Sequence, residues 1–329
     1  MSKVLIIRFS SIGDIVLTSP VVRCIKEQVR DAEIHYLTKD RFRTIVEHNP
    51  NITRVISFKE HINEVIPDLQ SEGYDHVIDL HNNLRSALVK RKLDGKKSSF
   101  RKLNLEKWMV VNLKWNRLPS VHIVDRYLEA VSSLGVTNDD KGLEYYASND
   151  KVPEVVKKQQ KFICLAIGAN HDTKRMPTQL LAELINKIGK PFIIIGGSGE
   201  ENDGATIAKA AGQAENLCGK LTLDESAACL KSSALVITHD TGMMHIAAAY
   251  KKQVISIWGN TIPGFGMYPY IPEAPERSHI FEVPGLNCRP CSKIGFDKCP
   301  KKHFRCMNDQ DLDAIAQTAL SIWGSTPDI

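Results

Sequence analysis

Long hydrophobic runs are missing from this sequence. No stretch approaches the roughly 20 apolar residues that a helix needs to cross a bilayer, and the longest ones, 162–167 and 192–195, have the length of a buried strand. The apolar residues 4–7 end at Arg8 and are too few for the core of a signal peptide. We therefore expect a cytoplasmic protein that does not cross a membrane.

The short motifs of several large enzyme classes are missing as well. The first predicted strand is not followed by G-x-G-x-x-G, because Gly13 stands alone, and the glycines within 196–199 do not complete that pattern. Walker A, G-x-S-x-G and H-E-x-x-H sequences do not occur. NAD-dependent oxidoreductases, P-loop enzymes, α/β-hydrolases and zincins are therefore disfavoured. A two-domain transferase that handles a nucleotide remains.

Cysteine is concentrated near the C-terminus. Four of the eight cysteines are scattered through apolar or helical patterns, and the others are Cys288, Cys291, Cys299 and Cys306. A reducing cytosol argues against a disulfide framework. Four thiols suit a tetrahedral zinc ion, although the second spacing is not that of common zinc fingers. The cluster predicts either a structural zinc site or free thiols that form disulfides only after lysis, and no catalytic role.

The charge bias is small overall but strong in one segment. Lys and Arg number 43 against 38 Asp and Glu, a net charge of +5 that favours anionic ligands without implying wholesale nucleic-acid wrapping. Residues 85–117 contain eleven Lys and Arg against two acidic residues, interleaved with Phe100, Trp108 and Trp115. This segment predicts contact with an anionic glycolipid or membrane surface. A solvated helix face is the alternative, and nucleic acid is not expected, because no recognised binding motif accompanies the charges.

Apolar runs alternate with helical spacing in the first half of the chain. The predicted strands are 3–9, 34–38, 54–58 and 76–81, and the predicted helices are 41–49, 62–72, 83–93 and one that Ser19 caps and Pro20 opens after a loop at 10–14. Such alternation is typical of a parallel sheet with helices on both faces. The pattern lapses across 137–161, which we interpret as an interdomain linker.

A second alternating series follows the linker. Its predicted strands are 162–167, 192–196, 234–238 and 254–258, and its helices begin at Pro177 and after Gly199 and then cover 223–233, 242–250 and about 309–323. The predicted fold class is α/β, with doubly wound Rossmann-like domains at 1–145 and 160–329. A ligand is expected in the crevice at the carboxyl ends of the strands.

The sequence D-T-G-M-M-H at 240–245 lies where a predicted strand ends and a helix begins. Unpaired N–H groups and the helix dipole at such a point attract phosphate, Gly242 allows close approach, and Thr241 offers a hydroxyl. His245 is placed one turn further on, within reach of the same anion. The alternative is that Asp240 and Thr241 only cap the helix and that His245 is a satisfied buried histidine.

Three further loop residues are candidates for chemistry. Lys174 follows the first strand of the second half, where a cation would neutralise a leaving diphosphate; otherwise it is an ordinary solvated lysine. Ser198 lies in a glycine-rich turn, which a plain turn also explains. Asp14 is the only acid in the first strand-to-helix connection and is a candidate general base, or else a helix cap.

Taken together, these residues resemble glycosyltransferase family 9, the ADP-heptose:lipopolysaccharide heptosyltransferases. The resemblance covers nearly the whole chain through an ordered set of segments, namely 4–14, 16–20, 77–86, 124–128, 174–177, 194–200 and 238–249 with its D-T-G-x-x-H core. It implies a GT-B fold and a metal-independent, inverting transfer of a heptose or related sugar from an ADP-sugar to the lipopolysaccharide inner core. The acceptor is then the core or a lipid A-linked molecule, and the enzyme works in the cytoplasm, peripherally at the inner face of the inner membrane.

The resemblance also assigns roles to residues. It implies that Asp14 is the catalytic base and that Lys174 is the partner of the donor diphosphate. Acceptor binding is implied for Ser10, Ser11, Gly13 and Arg85, and donor binding for Ser198, Asp240, Thr241, Gly242 and His245. No cofactor is required for catalysis, and a structural zinc ion stays open. A non-catalytic nucleotide-sugar or lipopolysaccharide binding protein is the alternative, and the intact Asp14 and Lys174 favour the enzyme.

Overall fold

The computed structural model describes residues 2–148 and 152–326. Contacts divide the chain into one unit of Met1–Lys102 with Val121–Ser148 and another of Leu103–Ser120 with Asn149–Ile329. The change of unit after Ser148 falls inside the linker predicted at 137–161. The sequence gives no sign that Leu103–Ser120 belongs with the second unit. The domain bounds 1–145 and 160–329 stay a prediction.

Eleven strands form within the described residues. They are β1 (Ser2–Ile7), β2 (Ala32–Lys39), β3 (Arg54–Phe58), β4 (His76–Asp79), β5 (Lys96–Ser99), β6 (Ile163–Ala166), β7 (Phe192–Ile195), β8 (Ala214–Asn216), β9 (Leu235–His239), β10 (Val254–Trp258) and β11 (Ser278–Glu282).

Thirteen α-helices form within the same ranges. They are α1 (Ile12–Val16), α2 (Ser19–Gln28), α3 (Ile66–Ser71), α4 (Leu84–Lys92), α5 (Asn104–Asn112), α6 (Ile123–Glu129), α7 (Glu154–Lys157), α8 (Thr178–Ile188), α9 (Glu201–Ala210), α10 (Leu223–Ser232), α11 (Gly242–Ala249), α12 (Arg305–Asn308) and α13 (Leu312–Ser325). None of the helices in the described part of the chain is both long and apolar enough to cross a membrane.

The first unit contains a five-stranded sheet in the order β3-β2-β1-β4-β5. All of its pairings are parallel, and Ile7 at the end of β1 pairs with Asp79 at the end of β4. Residues 4–7 of β1 are fully buried, as expected for a central strand covered on both faces. Because every strand runs the same way, the loops after β1 and β4 leave the sheet at the same edge.

The second unit contains a six-stranded parallel sheet in the order β11-β10-β9-β6-β7-β8. Strands β6, β7, β9 and β10 are buried throughout and are neighbours in the sheet. Their apolar side chains join those of α8 and α13 in one core cluster. The loops that follow these four strands therefore share one edge, and the predicted fold class of two doubly wound parallel α/β sheets is confirmed.

Several local predictions were wrong. Part of the loop predicted at 10–14 is helical, since α1 begins at Ile12, and the N-cap of α2 is Thr18 rather than Ser19. The helix predicted over 41–49 is a 3₁₀ helix at Asp40–Ile45. Beyond it, the side chain of Asn49 accepts a hydrogen bond from the backbone N–H of Asn51 and forms a turn where the last helical residue was predicted.

Candidate active site

Asp14 is held at the carboxyl edge of the first sheet. It is the third residue of α1, and its Oδ2 accepts hydrogen bonds from the backbone N–H (3.1 Å) and the Oγ (2.9 Å) of Ser11. Its Oδ1 lies 2.6 Å from Nη2 of Arg8, and 22% of the Asp14 side chain stays exposed. The carboxylate therefore caps its own helix, forms an ion pair and remains open to a ligand.

Arg8 fixes the position of this carboxylate. Its side chain is buried, with Nε donating to the carbonyl of Ser10 at 2.8 Å and Nη1 to that of Leu80 at 2.5 Å. Its guanidinium also lies 5.8 Å from the ring centre of Tyr127. Burial acts to lower the pKa of Arg8, but the Asp14 carboxylate together with Tyr127 and Tyr36 outweighs it and the pKa is raised. Arg8 thus stays charged and ties Asp14 to the ends of β1 and β4.

His81 lies at the same edge, two residues after β4. Its ring is 4.8 Å from that of Phe9, and its Nδ1 is buried without a hydrogen-bond partner among the described residues. Burial, with Arg8 and Lys102 nearby, lowers the pKa of His81 to about 4, so the ring is neutral at pH 7. The sequence analysis did not single out His81, although it lies in the segment 77–86.

The other first-unit candidates divide into two groups. Ser10, Ser11 and Gly13 lie in or beside α1, within the same turn as Asp14. Arg85 lies in the first turn of α4 and is exposed. Within the described residues, Arg85 shares no hydrogen bond or ion pair with the Asp14 cluster, so the structure does not bring it to that carboxylate.

In the second unit, loops after three neighbouring strands bring Lys174, Asp240 and Thr261 together. Oδ2 of Asp240, which directly follows β9, lies 2.5 Å from Nζ of Lys174, which follows β6. The same oxygen accepts a hydrogen bond from Oγ1 of Thr261, at 2.8 Å, in the loop after β10. Thr261 is only 1% exposed, whereas 17% of the Lys174 side chain is exposed. The ammonium is therefore oriented at the edge of the sheet and accessible to an anion.

The start of α11 adjoins this cluster. Thr241 is its N-cap residue in extended conformation, and Gly242 is its first helical residue. Within the described part of the chain the side chain of Thr241 does not cap the helix, and its hydroxyl instead lies 3.3 Å from that of Thr238. His245 is 2% exposed. The helix dipole therefore points its positive end toward the region where Lys174 lies.

The loop after β7 contains an additional ion pair. Ser198 is exposed there, while Glu200 is buried, with Oε2 accepting a hydrogen bond from the N–H of Gly197 at 2.7 Å. Oε1 of Glu200 lies 2.6 Å from Nη2 of Arg175, the residue after Lys174. The sequence analysis missed Thr261, Glu200 and Arg175. Only their position after buried strands could have marked them.

The cysteine-rich segment braces the loop that carries Thr261. Arg289 donates hydrogen bonds to the carbonyls of Gly259 (2.5 Å) and Thr261 (2.9 Å). The N–H of Cys291 donates to the carbonyl of Asn260 at 3.1 Å. These three hydrogen bonds form without a ligand, so the cysteine-rich segment itself holds the loop of Thr261 in position.

The four clustered cysteines are close enough to influence one another. Burial raises the pKa of Cys291, and Cys288 and Cys299 add to that effect. Burial raises the pKa of Cys306 to about 12, with the other three cysteines contributing. Sγ of Cys288 lies 3.9 Å from Nε2 of His303. The donor set suits zinc. Among the described residues, however, no three of the four sulfur atoms lie as close together as a metal-ligand group would. In that described part of the chain, only the ligand atoms of Glu33, His35 and Glu72 form a group of three within 4.8 Å of one another.

The group of Glu33, His35 and Glu72 does not suit a metal cation. Nε2 of His35 lies 3.0 Å from Glu33, and its Nδ1 lies 2.9 Å from the hydroxyl of Tyr74. Lys3 lies 2.7 Å from the Glu72 carboxylate, and Arg54 also pairs with it. The carboxylates are thus already neutralised by protein cations.

Residues 62–295 match the model of glycosyltransferase family 9 (heptosyltransferase). Because the match covers more than half of the sequence, the chain belongs to this family and is a glycosyltransferase. Two parallel α/β sheets with charged groups at their carboxyl edges agree with that class.

Individual relatives agree with the family match. Lipopolysaccharide heptosyltransferase 1 of Campylobacter coli is 28% identical over 288 residues, 79% of this chain and 84% of the relative. Lipooligosaccharide heptosyltransferase 2 of Campylobacter jejuni subsp. jejuni serotype O:2 is 25% identical over 321 residues, 94% of this chain and 95% of the relative. The solved structure of E. coli heptosyltransferase WaaC with ADP has a TM-score of 0.71 at 22% identity, covering 97% of this chain and 99% of that chain. This last likeness establishes the shared fold.

Proposed function

We propose that this protein transfers a heptose from an ADP-activated donor to the lipopolysaccharide inner core, with inversion at the anomeric carbon. The observation that supports the proposal is that each sheet ends in one group suited to that reaction. The first presents the Asp14 carboxylate, and the second presents the Lys174 ammonium. The names of the family and of its relatives indicate heptose as the sugar.

In this proposal Asp14 is the general base. Its carboxylate accepts the proton of the acceptor hydroxyl while that oxygen bonds to the anomeric carbon. The bond from this carbon to the diphosphate oxygen breaks at the same time, and its electron pair leaves with ADP. The ion pair with Arg8 favours the ionised carboxylate that this step needs. Ser10, Ser11 and Gly13 then surround the acceptor, and we keep Arg85 as an acceptor contact made only when the acceptor is bound.

Lys174 is the proposed electrostatic partner of the leaving ADP. Its Nζ is already oriented by Asp240, so binding a diphosphate requires only that the ammonium be shared or released. Thr241, Gly242, His245 and the N–H groups that begin α11 add a second positive region for the phosphates. With the charge neutralised by protein groups, we propose that transfer needs no divalent ion. Ser198 is proposed to contact the donor from the loop after β7.

The Asp14→Asn variant tests this function. Asparagine still accepts from Ser11 but removes both the base and the charge beside Arg8. We expect release of ADP from ADP-heptose, with deacylated core oligosaccharide as acceptor, to fall by about 10²–10⁴-fold. A variant that keeps more than about a tenth of wild-type turnover, with chemistry rate-limiting, would overturn the role of Asp14.

Asp139→Asn is the matched control for lost stability. Asp139 also pairs with a buried arginine of the first unit, Arg23, whose Nε lies 2.7 Å from its Oδ2. We expect this control to lower the melting temperature while turnover per folded molecule stays near that of the wild type. If ADP-heptose raises the melting temperature of the wild type but ADP is never released, the protein is instead the non-catalytic nucleotide-sugar binding protein.

A structural zinc ion held by Cys288, Cys291, Cys299 and Cys306 is a second proposal. The four thiols supply the ligand chemistry that zinc prefers, and their sulfur atoms would have to draw together around it. The ion would tighten the segment that braces Thr261 and take no part in transfer.

The setting we propose is an anionic membrane surface, where a core or lipid A-linked acceptor is presented. The basic residues within 85–117 support this proposal, because each cation near such a surface contributes about 1 kcal/mol of binding. Nucleic acid is not among the proposed partners.

A further inference from the structure

Exposed apolar side chains concentrate in one short part of the second unit. Of the ten large apolar side chains exposed in the described residues, four lie between positions 105 and 115. They are Leu105 (66% exposed), Trp108 (48%), Leu113 (57%) and Trp115 (52%). A lone exposed leucine needs no explanation, but a cluster indicates an interaction surface.

Helix α5 places two of these four side chains on one face. Leu105 and Trp108 are three residues apart and lie on the same side of the helix. Val110 points the other way and is 4% exposed. Leu113 and Trp115 follow directly after the helix ends. The segment therefore packs against its own unit on one side and leaves a face of leucine and tryptophan on the other.

Cations hold and flank this face. Nζ of Lys114 donates to the carbonyls of Cys288 (3.2 Å) and Pro290 (2.8 Å), which ties the segment to the cysteine-rich region. The guanidinium of Arg117 lies 4.1 Å from the ring centre of Trp115. Glu106 is the only acidic residue in Leu103–Ser120. The face is thus anchored, apolar at its centre and positive at its border.

We propose that Leu103–Ser120 is the element that docks this enzyme on an anionic phospholipid bilayer. Tryptophan favours the bilayer interface because its ring is apolar and its N–H is polar, and leucine buries its side chain just below the headgroups. Arg117 beside them meets lipid phosphates of opposite charge, while Lys114 anchors the segment to its own unit. A second copy of this face would present the same positive charge and not the anionic groups that Arg117 favours. This inference rests on the proposed function only in that the acceptor is carried on a lipid.

Vesicle binding tests the docking element. We would measure co-sedimentation of the full chain with vesicles of phosphatidylglycerol and phosphatidylcholine in equal parts, and with phosphatidylcholine alone. The wild type is expected to bind the anionic vesicles, more weakly as salt rises. The double variant Trp108→Ser with Trp115→Ser is expected to lose at least about tenfold in affinity, or about 1.4 kcal/mol.

The control removes two exposed apolar side chains from elsewhere in the same unit. Ile294 and Leu320 are 63% and 38% exposed, and we expect Ile294→Ser with Leu320→Ser to bind vesicles like the wild type. Equal binding by the tryptophan variant, or no binding by the wild type, would overturn the proposal. So would sedimentation velocity showing a wild-type dimer that the tryptophan variant separates into monomers.

A soluble acceptor separates this proposal from the proposed function. With deacylated core oligosaccharide, the tryptophan variant is expected to keep wild-type turnover, and it should lose rate only on acceptor embedded in vesicles. If the wild type shows no turnover on the soluble acceptor, the proposed function fails while vesicle binding can still stand. If turnover is normal and vesicle binding ignores both tryptophans, only the docking element is wrong.

Discussion

Asp240 interacts with two residues that arrive from different strands. Its Oδ2 receives both the Lys174 ammonium and the Thr261 hydroxyl, and only the hydroxyl is buried. If Lys174 moves to the diphosphate of a bound donor, Thr261 is the group that keeps Asp240 in place. We therefore expect Thr261 to be a positioning residue, which acts on the donor through Asp240 and Lys174.

The Thr261→Val variant tests this positioning role. Valine keeps the shape and removes the hydrogen bond to a charged group, which is typically worth about 1.5–3 kcal/mol. We expect the KM for the ADP-sugar to rise by roughly tenfold or more at unchanged acceptor KM, because only donor contacts are affected. Thr261→Ser should restore the wild-type value. Steady-state kinetics with each substrate varied in turn will measure both KM values. An unchanged KM for the ADP-sugar in Thr261→Val would contradict the positioning role.

The sequence located the charged groups of the candidate site but not their partners. Asp14 was recognisable as the only acid in the first strand-to-helix connection, and Lys174 as a cation in the loop after the first strand of the second half. Arg8 was read only as the end of β1, and nothing in its neighbourhood reveals that it pairs with Asp14. Thr261 lies 21 residues beyond Asp240. Such pairs depend on strand order in the sheet, which one sequence does not reveal.

At the scale of whole elements, burial decided which predictions were right. The strands β6, β7, β9 and β10 are buried throughout, so their apolar runs were readable. Strand β5 has the sequence KKSS and β8 the sequence AEN, and neither is fully buried. Both are edge strands whose backbone pairing, not side-chain pattern, makes them strands. The helix predicted over 223–233 is present as α10, which begins with a capping box between Thr222 and Glu225.

The cysteine-rich segment provides a prediction at the same scale. With reduced protein we expect about one zinc ion per chain by elemental analysis, and Cys291→Ser should lose it. Because loss of the ion would loosen the segment whose Cys291 N–H bonds to Asn260, next to Thr261, that variant should also bind ADP more weakly. Cys24→Ala, a buried cysteine of the first unit, is the control and should keep both. A metal-free, fully folded wild type would contradict the zinc site.

The chelator experiment separates this ion from catalysis. A short exposure of the wild type to EDTA should leave the transfer rate unaltered, since we propose that Lys174 and the start of α11, and not a metal, neutralise the diphosphate. Inhibition that Mg²⁺ or Mn²⁺ reverses would contradict that arrangement.

For the whole molecule, the buried His239 and the partly buried His81 connect stability to pH. His239, 1% exposed at the end of β9, accepts a hydrogen bond at Nε2 from the N–H of Met176 at 3.1 Å. Burial lowers its pKa to about 4 from the ordinary 6.5, and burial lowers the pKa of His81 in the first unit to about 4 as well. Between pH 6.5 and 4 the unfolded chain therefore binds more protons than the folded one. The contribution of the neutral histidines to the free energy of unfolding is fully present above pH 6.5 and is lost as the pH falls through 4. For His239 this loss amounts to at most about 3 kcal/mol.

The two units can be followed separately in this experiment, because all four tryptophans, Trp108, Trp115, Trp258 and Trp323, belong to the second. Urea unfolding monitored by tryptophan fluorescence should give a free energy of unfolding that falls steadily from pH 6.5 to 4. In His239→Gln, whose side-chain carbonyl can still accept from Met176, that fall should be smaller. His81→Gln should not change the pH profile measured by tryptophan fluorescence, because His81 lies in the first unit. It should reduce the loss of unfolding free energy at low pH that is measured by far-ultraviolet circular dichroism, which reports both units. If His239→Gln and the wild type lose stability in parallel over this pH range, burial of a neutral His239 is not what makes the second unit sensitive to acid.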